Sequence, residues 1–308
     1  SSGLDAVNIA AMKINTGQAS CTLAGGIEMM SRVPMLSDQA SMFADGALAL
    51  DNRMLMMGSG ADLIASLNNI SRQQVDQIAL QSQRRAALAR NQGYFKSIIP
   101  VYNPVKDCWV NEDECIRPEL GPEDLAQLKP YFAELGATGV DALQLTEHPS
   151  LQAISHVHTA GNSPAMADAA SLVLLGDKSL QGQGLVPRAR ILAATTLCND
   201  PLQVVSGCAA ATAKLLLDQG LTSADIDLFE LHEAFAATSI KCQRDLDIGA
   251  DRLNVNGGVI ALGHPMGATG GIMLGMLIDE LERRDLQTGV VATSGAAGIG
   301  TALLIERI

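Results

Sequence analysis

Apolar residues at helical spacing and short apolar runs bounded by glycine follow one another along most of the chain. Between Leu4 and Ile14 the apolar positions share one face of a helix, and residues 20–24 form a short run typical of a buried strand. The far end repeats this order, with a helix predicted over residues 270–282 and strands over 289–293 and 301–306. This weak similarity between the two ends suggests two halves built alike.

The segment from residue 31 to about residue 155 has a different character. Seven methionines crowd around its beginning, and such flexible side chains are usually core but also suit an adaptable apolar surface. Ser71 and Gln74 form the sequence of a capping box, which predicts the start of a helix. Small residues return at Thr159, and they predict a helix over residues 165–170 and a strand over 171–175.

A further unit begins near residue 185, with a strand predicted over residues 190–194. Residues 222–230 resemble a helix cap followed by a strand, and the tetrapeptide H-E-A-F, which contains His232 and Phe235, comes directly after it. Ligands of open α/β sheets bind at the carboxyl ends of strands. We therefore predict that His232 faces the same cleft as His264, which lies in the glycine-rich stretch that follows.

That stretch, N-V-N-G-G-V-I-A-L-G-H-P-M-G-A-T-G at residues 254–270, is the most informative part of the chain. His264 stands between Gly263 and Pro265 at the start of an apolar helix. Glycine lets backbone come close to a ligand, and histidine exchanges protons near neutral pH. A second glycine-rich turn follows at residues 294–300. Together these features favour a functional site over a purely structural turn.

Composition narrows the class of protein. The chain has 308 residues, 47% hydrophobic and 3% aromatic, with 29 glycines, which favours helices packed closely on sheets in an α/β fold of roughly two domains. A formal net charge of −12 argues against a nucleic-acid partner. No apolar run approaches the ~20 residues of a membrane span. The six cysteines include no C-x-x-C pair, so we expect reduced thiols in a cytosol-like compartment.

Two kinds of site find no support in the sequence. His148, His156 and His158 have neither the spacing nor the carboxylates of a metal site, so we interpret them as surface or core residues. No G-x-G-x-x-G turn with a downstream acid follows a strand, and this argues against a dinucleotide-binding site.

Several motifs in fixed order resemble the thiolase family along the whole chain. They are S-S-G-L at 1–4, A-G-G-I-E-M-M-S-R-V-P at 24–34, M-G at 57–58, S-R-Q-Q-V-D-Q-I-A-L-Q-S at 71–82, R-P at 117–118, T-A-G-N-S at 159–163, H-E-A-F-A at 232–236 and N-G-G-V-I-A-L-G-H-P-M-G-A-T-G at 256–270. The last two motifs, in this order and spacing, are highly specific. Thiolases are acyl-CoA C-acyltransferases that split 3-ketoacyl-CoA with CoA or condense two acetyl-CoA units. The resemblance implies this activity, with coenzyme A as a substrate and neither a further cofactor nor a metal.

The resemblance also implies a fold of two similar βαβαβαββ halves, each a five-stranded sheet between helices, stacked in five layers. An incomplete N-terminal half is expected at residues 1–30, an inserted loop domain at 31–155, a return to the N-terminal half at 156–184, and the C-terminal half at 185–308. Thiolases are usually homodimers or homotetramers. We therefore expect a cytoplasmic homo-oligomer.

The resemblance assigns roles to individual residues. His264 is implied to take the proton of the nucleophilic thiol, and His232 to belong to the oxyanion hole. Ser294 stands where thiolases usually carry the acid/base cysteine of a Cys-x-Gly motif. Five residues are implied to contact the acyl-CoA or its pantetheine arm, namely Met57, Ala160, Ser163, Pro164 and Phe235. Many relatives have serine at the position of Pro164, so one hydrogen bond to CoA is expected to be missing.

The nucleophile of the family is a cysteine at the start of a helix, in a motif similar to C-x-S-G. The helix dipole and unpaired N–H groups stabilise a thiolate there. The resemblance implies that this cysteine immediately precedes Ser1. Because the chain opens on Ser1 directly before a helix pattern, we interpret it as a fragment. None of its six cysteines is expected to replace the nucleophile, and the nearest, Cys21, lies within a predicted strand.

Two alternatives stay open. A non-catalytic thiolase-like protein that binds acyl-CoA or lipid is favoured by Ser294 and Pro164. A 3-ketoacyl synthase shares the fold and a similar G-H-x-x-G-A-x-G stretch, but its second catalytic histidine lies in an H-G-T-G-like motif, where this chain has H-E-A-F. A comparison of turnover with simple CoA binding separates the first alternative from a thiolase.

Overall fold

The computed structural model describes residues 1–308. Its α-helices are α1 (Ser2–Asn15), α2 (Ser41–Ala44), α3 (Gly46–Asp51), α4 (Met57–Leu67), α5 (Arg72–Asn91), α6 (Pro122–Ala126), α7 (Ala133–Leu135), α8 (Asp141–Glu147), α9 (Gly207–Asp218), α10 (Ala236–Leu246), α11 (Val259–Leu262) and α12 (Met266–Arg284). Its strands are β1 (Cys21–Met29), β2 (Val101–Asn103), β3 (Cys108–Val110), β4 (Asp168–Gly176), β5 (Ala189–Cys198), β6 (Leu228–Leu231), β7 (Thr288–Ser294) and β8 (Ile299–Arg307). No helix is both long and apolar enough to cross a membrane.

The larger sheet has the strand order β5-β8-β7-β6. β6 and β7 are parallel, and the other neighbours are antiparallel. Almost all of β7 is buried, because α9 and α10 cover one face of the sheet while α1 and α12 cover the other. A strand buried on both faces reads as a continuous apolar run, which explains why β7 could be predicted from sequence. The carboxyl ends of β6 and β7 carry His232 and Ser294.

β1 and β4 form a separate antiparallel pair, in which Cys21 lies opposite Gly176 and Met29 opposite Asp168. One face of the pair packs on α1 and α12. The other face exposes five large apolar side chains, those of Leu23, Ile27, Met29, Leu172 and Leu174. The implied five-stranded sheet of the first half is therefore represented by two strands in this chain, and that of the second half by four.

The helix predicted over residues 165–170 is wrong, because β4 already begins at Asp168. The small residues that suggested a helix serve a close crossing of β4 by α12. A Cβ atom added to Gly271 of α12 would lie 2.4 Å from the Oγ of Ser171, and this hydroxyl donates to the carbonyl oxygen of Ala268 at 2.8 Å. Small side chains thus reflect packing of a strand against a helix.

β1 is longer than predicted and continues through its two glycines to Met29. Its last residues pair with β4, and glycine is needed at residue 26 because a Cβ atom there would lie only 1.8 Å from the carbonyl oxygen of Gly267. α12 itself begins at Met266, four residues before the predicted start. The predicted strands at 190–194 and 301–306 are confirmed and are each longer, as β5 and β8.

The segment from residue 31 to residue 155 holds α2 to α8 and the β2–β3 hairpin, and it packs on α10. The largest apolar cluster joins α4 and α5 to α10. The capping box at the start of α5 is confirmed: Ser71 Oγ accepts from the Gln74 N–H, and Gln74 Oε1 accepts from the Ser71 N–H. The apolar packing on α10 places α4 and α5 beside the carboxyl end of β6, which His232 follows. The division of the chain at residues 30, 155 and 184 stays a prediction.

Candidate active site

The two predicted site histidines lie side by side. His232 follows the last residue of β6, His264 precedes α12, and their ring centroids are 4.4 Å apart with the planes at 48°. The structure thus brings the two predicted residues together, whereas their facing a ligand cleft stays a prediction. Neither ring donates to or accepts from the other, so each is oriented by its own partners.

The turn that carries His264 is fixed by its backbone and by Thr269. Gly263 has a φ of +89°, which favours glycine, and the backbone N–H of His264 donates to the carbonyl oxygen of Ala165 at 2.8 Å. Nδ1 of His264 lies 2.8 Å from the Oγ1 of Thr269, a buried residue in the first turn of α12. The ring is therefore held at one nitrogen, and Nε2 makes no hydrogen bond within the protein.

The pKa of His264 is lowered to about 4, with burial as the largest cause. At neutral pH the imidazole is uncharged and has one nitrogen with a free lone pair. If Nδ1–H donates to Thr269, that lone pair is on Nε2. Such a ring can accept a proton from an adjacent thiol.

His232 has the opposite arrangement. Its backbone N–H donates to the carbonyl oxygen of Ala292 at 2.9 Å, and its Nδ1 accepts from the backbone N–H of Ser294 at 3.4 Å. The ring proton therefore lies on Nε2, which is buried and has no hydrogen-bond partner. Burial also lowers the pKa of His232 well below its usual value, with His264 as the next cause. The site thus pairs a proton acceptor with an unused N–H donor.

The amino terminus of α1 reaches the same place. The Ser1 hydroxyl donates to the carbonyl oxygen of Thr293 at 3.4 Å, and a Cβ atom added to Gly295 would lie 3.4 Å from the Ser1 nitrogen. The Ser1 carbonyl oxygen accepts from the N–H groups of Leu4 and Asp5, so the helix starts directly at the site. The first N–H groups of a helix have no partner within it and carry partial positive charge. A thiolate at the start of α1 would therefore be stabilised beside the two histidines.

Ser294 is close to the pair through its backbone, whereas its side chain contacts α9. Its Oγ accepts from the backbone N–H of Cys208, in the first turn of α9, at 2.9 Å. Ser294 is buried, and no hydrogen bond joins its hydroxyl to either histidine. Its assignment as an acid/base group stays a prediction.

Cys115 comes near the turn of His264, where a Cβ atom on Gly263 would lie 3.2 Å from its Sγ, but no cysteine is hydrogen-bonded to either histidine. Cys208 is at a helix start, which the sequence analysis did not recognise, but its Sγ donates to the Ala292 carbonyl oxygen at 3.3 Å and lies in the core between α9 and α10. Cys21 lies at the exposed beginning of β1. All six cysteines are free thiols. No group of histidine, cysteine and carboxylate side chains is arranged to hold a metal ion.

The residues predicted to contact acyl-CoA lie around the start of α10. Phe235 is buried immediately before α10, and the carbonyl oxygen of Asn162 accepts from the Ala236 N–H at 3.2 Å, which ties the loop of Ala160, Ser163 and Pro164 to this point. Ala160 is exposed, whereas Ser163 and Pro164 are half-buried. Ser163 Oγ donates to the carbonyl oxygen of Thr159 at 2.7 Å, so its hydroxyl serves the loop itself.

Met57 begins α4, and an aromatic residue that the sequence does not mark joins this helix to Phe235. The ring of Phe132 packs edge-on against Phe235 with centroids 5.8 Å apart. The same ring covers Gly58, where a Cβ atom would lie 2.0 Å from it. No periodicity or motif marks Phe132 in the sequence. The glycine of the M-G dipeptide could have indicated that a bulky side chain packs on the start of α4.

The glycines of the 254–270 stretch serve packing more than ligand approach. A Cβ atom on Gly270 would lie 2.4 Å from the backbone nitrogen of Leu4, and one on Gly3 would lie 2.3 Å from the carbonyl oxygen of Gly267. These glycines let α1 and α12 approach closely, which brings their amino-terminal ends to one point. Thr269 is a site residue that the sequence could have indicated, because it lies only five residues after His264 in the same motif.

Comparisons with known proteins give one family. The chain matches the family models described as "Thiolase, N-terminal domain" over residues 1–179 and "Thiolase, C-terminal domain" over residues 185–307. It is 38% identical to a 3-ketoacyl-CoA thiolase of Serratia proteamaculans (strain 568) and 36% identical to one of Cronobacter sakazakii (strain ATCC BAA-894), in each case over 100% of this chain and 76% of the relative. The structure is similar to the crystal structure of the Bacillus anthracis acetyl-CoA acetyltransferase, with a TM-score of 0.82 at 31% identity. That match covers 100% of this chain and 77% of the other.

Proposed function

The chain belongs to the thiolase family, and from this premise we propose that the protein is an acyl-CoA C-acyltransferase. Its reaction is the thiolytic cleavage of a 3-ketoacyl-CoA, or the reverse Claisen condensation of acetyl-CoA, through a cysteine acyl-enzyme. The observation that carries the proposal is the pairing of His264, a neutral proton acceptor, with the unpartnered N–H donor of His232 at the start of α1. A base and an oxyanion donor are both needed for acyl transfer to a thiol.

In the first half-reaction His264 accepts the thiol proton and leaves a thiolate at the start of α1. The thiolate forms a bond to the C3 carbonyl carbon, and the negative charge on its oxygen is placed against the Nε2–H of His232. Because this N–H is already buried and unpaired, it gains a partner only when the oxyanion forms. The bond between C2 and C3 then breaks, the acyl group stays on the sulfur, and C2 takes up a proton from the Ser294 hydroxyl as acetyl-CoA leaves.

In the second half-reaction the thiol of free CoA gives its proton to the Ser294 oxygen, and its sulfur attacks the acyl-enzyme. The shortened acyl-CoA leaves, and the enzyme thiolate regains the proton that His264 accepted. Ser294 is the residue that we assign to this proton transfer. Its hydroxyl accepts an N–H from the start of α9, which would stabilise negative charge on the oxygen. A serine hydroxyl is still a weaker acid than a thiol, so this step is expected to limit the rate.

The acyl-CoA lies along the surface formed by Met57, Phe235 and the loop of Ala160, Ser163 and Pro164. Coenzyme A is a substrate here, and the proposal includes no further cofactor. The test is thiolysis of acetoacetyl-CoA by the protein at its full encoded length, followed as CoA-dependent loss of substrate and formation of acetyl-CoA. Tight CoA binding without any turnover would contradict an enzymatic role.

That outcome would favour a second candidate, a non-catalytic thiolase-like protein that binds acyl-CoA or lipid. The observation in its favour is that the Ser294 hydroxyl is occupied by the Cys208 N–H and makes no contact with either histidine. The two candidates give different results in one assay, because only the enzyme consumes acetoacetyl-CoA.

We also propose a cytoplasmic homodimer or homotetramer. Three of the free cysteines are exposed, which fits a reducing compartment. Sedimentation of the protein at its full encoded length tests the oligomeric state, and a monomer at micromolar concentration would contradict it.

A further inference from the structure

A buried carboxylate joins two histidines beside the predicted acyl-CoA surface. Asp62 of α4 is fully buried, and its Oδ2 accepts from Nδ1 of His156 at 2.8 Å while its Oδ1 accepts from Nδ1 of His158 at 2.7 Å. Its Oδ1 also accepts from the backbone N–H groups of Val157 and His158, at 3.1 and 3.2 Å. The sequence does not mark a carboxylate for these histidines, because Asp62 is 94 and 96 residues away from them along the chain.

The two histidines have different surroundings. His156 is half-buried and also contacts Asp141 through Nε2 at 3.0 Å, and the hydrogen bond to Asp62 raises its pKa to about 9. His158 is completely buried, and its Nε2 accepts from the backbone N–H of Ala237 at 3.3 Å. Because one nitrogen of His158 donates and the other accepts, the ring is fixed in a single tautomer and a single orientation.

The fixed ring of His158 packs against the ring of Phe235. The two ring centroids are 5.2 Å apart at 71°, an edge-to-face contact, and Phe132 packs edge-on against Phe235 as well. The hydrogen bond to Ala237 holds the first turn of α10, directly after Phe235. His158 also precedes Thr159, where the loop of Ala160 to Pro164 begins. One side chain therefore sets the position of both the aromatic residue and the loop.

We propose that His158, held by Asp62, is a positioning residue that fixes Phe235 and the 159–164 loop for the pantetheine arm of acyl-CoA. The proposal rests on the proposed function, since it assigns Phe235 to the acyl-CoA surface. His158 does not touch the reacting atoms, so its loss affects binding of substrate more than the chemical step. A purely structural role would give the same loss of stability but no change in substrate binding.

The test compares two variants with a matched control in the protein at its full encoded length. His158→Leu removes the ring and both hydrogen bonds at similar volume, and His158→Gln keeps an oxygen that can accept from the Ala237 N–H. The control, Asp279→Asn, alters a buried carboxylate of α12 that binds Ser97 and Arg188, far along the helix from His264. It is expected to lower stability without affecting the site.

For His158→Leu we expect the Kd for CoA and the KM for acetoacetyl-CoA to rise about tenfold. Phe235 and the loop are then no longer held in place before substrate binds, and we expect this to weaken binding by about as much as the loss of one hydrogen bond. The value of kcat should stay within about threefold. His158→Gln should recover part of the affinity, and Asp279→Asn should leave both constants unchanged. Residues 1–308 contain five phenylalanines, and the ¹⁹F resonance of Phe235 in fluorophenylalanine-labelled protein can be assigned by substitution of Phe235. The Phe235 resonance is expected to shift or broaden in His158→Leu and not in the control.

The outcomes separate this proposal from the proposed function. If wild-type protein neither binds CoA nor cleaves acetoacetyl-CoA, the proposed function fails before any variant is compared. If wild-type protein is active and the His158 variants lose stability while Kd, KM and the Phe235 resonance stay unchanged, only the positioning role is overturned. A loss of kcat at constant KM would also overturn it. If His158→Leu does not fold, His158→Gln decides with the same measurements.

Discussion

Thr269→Val removes the only hydrogen bond that orients the His264 ring. Thr269 is buried, and its Oγ1 lies 2.8 Å from Nδ1 of His264, so valine replaces the hydroxyl with a methyl group of similar shape. A hydrogen bond to a neutral group contributes ~1 kcal/mol, and one to a charged group ~1.5–3 kcal/mol. Because His264 becomes an imidazolium when it accepts the thiol proton, the lost bond matters more after proton transfer, by ~1 kcal/mol or somewhat more. At ~1.4 kcal/mol per factor of ten, acylation should slow by about tenfold.

The assay is single-turnover formation of the acyl-enzyme, measured by rapid quenching and mass spectrometry of the protein at its full encoded length. The Kd for CoA should be unchanged, because Thr269 contacts the base and not the predicted acyl-CoA surface. Thr269→Ser keeps the hydroxyl and serves as the control, with a rate expected to stay near wild type. Formation of the acyl-enzyme at the wild-type rate in Thr269→Val would refute the reasoning that this hydrogen bond prepares His264 as a base.

Three further predictions follow from the same site. His264→Ala should slow acylation by ~10²–10⁴-fold and leave CoA affinity nearly intact, and an acyl-enzyme trapped at the wild-type rate would show that the residue is structural. The pKa of His264 is lowered from 6.5 to about 4 on folding. The free energy of unfolding is therefore not reduced by this residue above pH 6.5, and it falls as the pH drops from 6.5 toward 4, because the unfolded state binds the proton first. His264→Ala should flatten this part of the pH profile by up to ~3 kcal/mol, as measured by urea unfolding, and an unchanged slope would contradict the burial argument. Ser294→Cys should raise both thiolysis and condensation, whereas unchanged steady-state rates would show that another group moves the proton.

The sequence was sufficient for the parts of the fold in which local pattern and tertiary packing agree. β7 is a continuous apolar run because both of its faces are covered. α12 has an apolar stripe because one side of this helix packs on the larger sheet, on α1 and on β1. The predicted helix at 165–170 failed where they disagree. Its small residues are good helix formers by propensity, but pairing with β1 and the close crossing of α12 make the segment a strand.

The site could be predicted in part for a related reason. His232 and His264 were found because a strand end and a glycine-rich turn mark them locally. Phe132, Asp62 and the contact between His158 and Phe235 were missed, because they depend on segments that meet only after folding. The direction of the Ser294 hydroxyl could not be predicted either, since α9 reaches β7 from a distant part of the chain.

The central claim is that the histidine pair activates a thiol at the start of α1 for acyl transfer. The most direct measurement is to incubate the protein at its full encoded length with acetoacetyl-CoA, quench it during turnover, and map the acyl group by peptide mass spectrometry. The account predicts an acetyl group on a cysteine thiol at the start of α1 and none on the six cysteines of this sequence. Acylation of Cys208 or another of those six, or turnover without any acylated cysteine, would contradict the account.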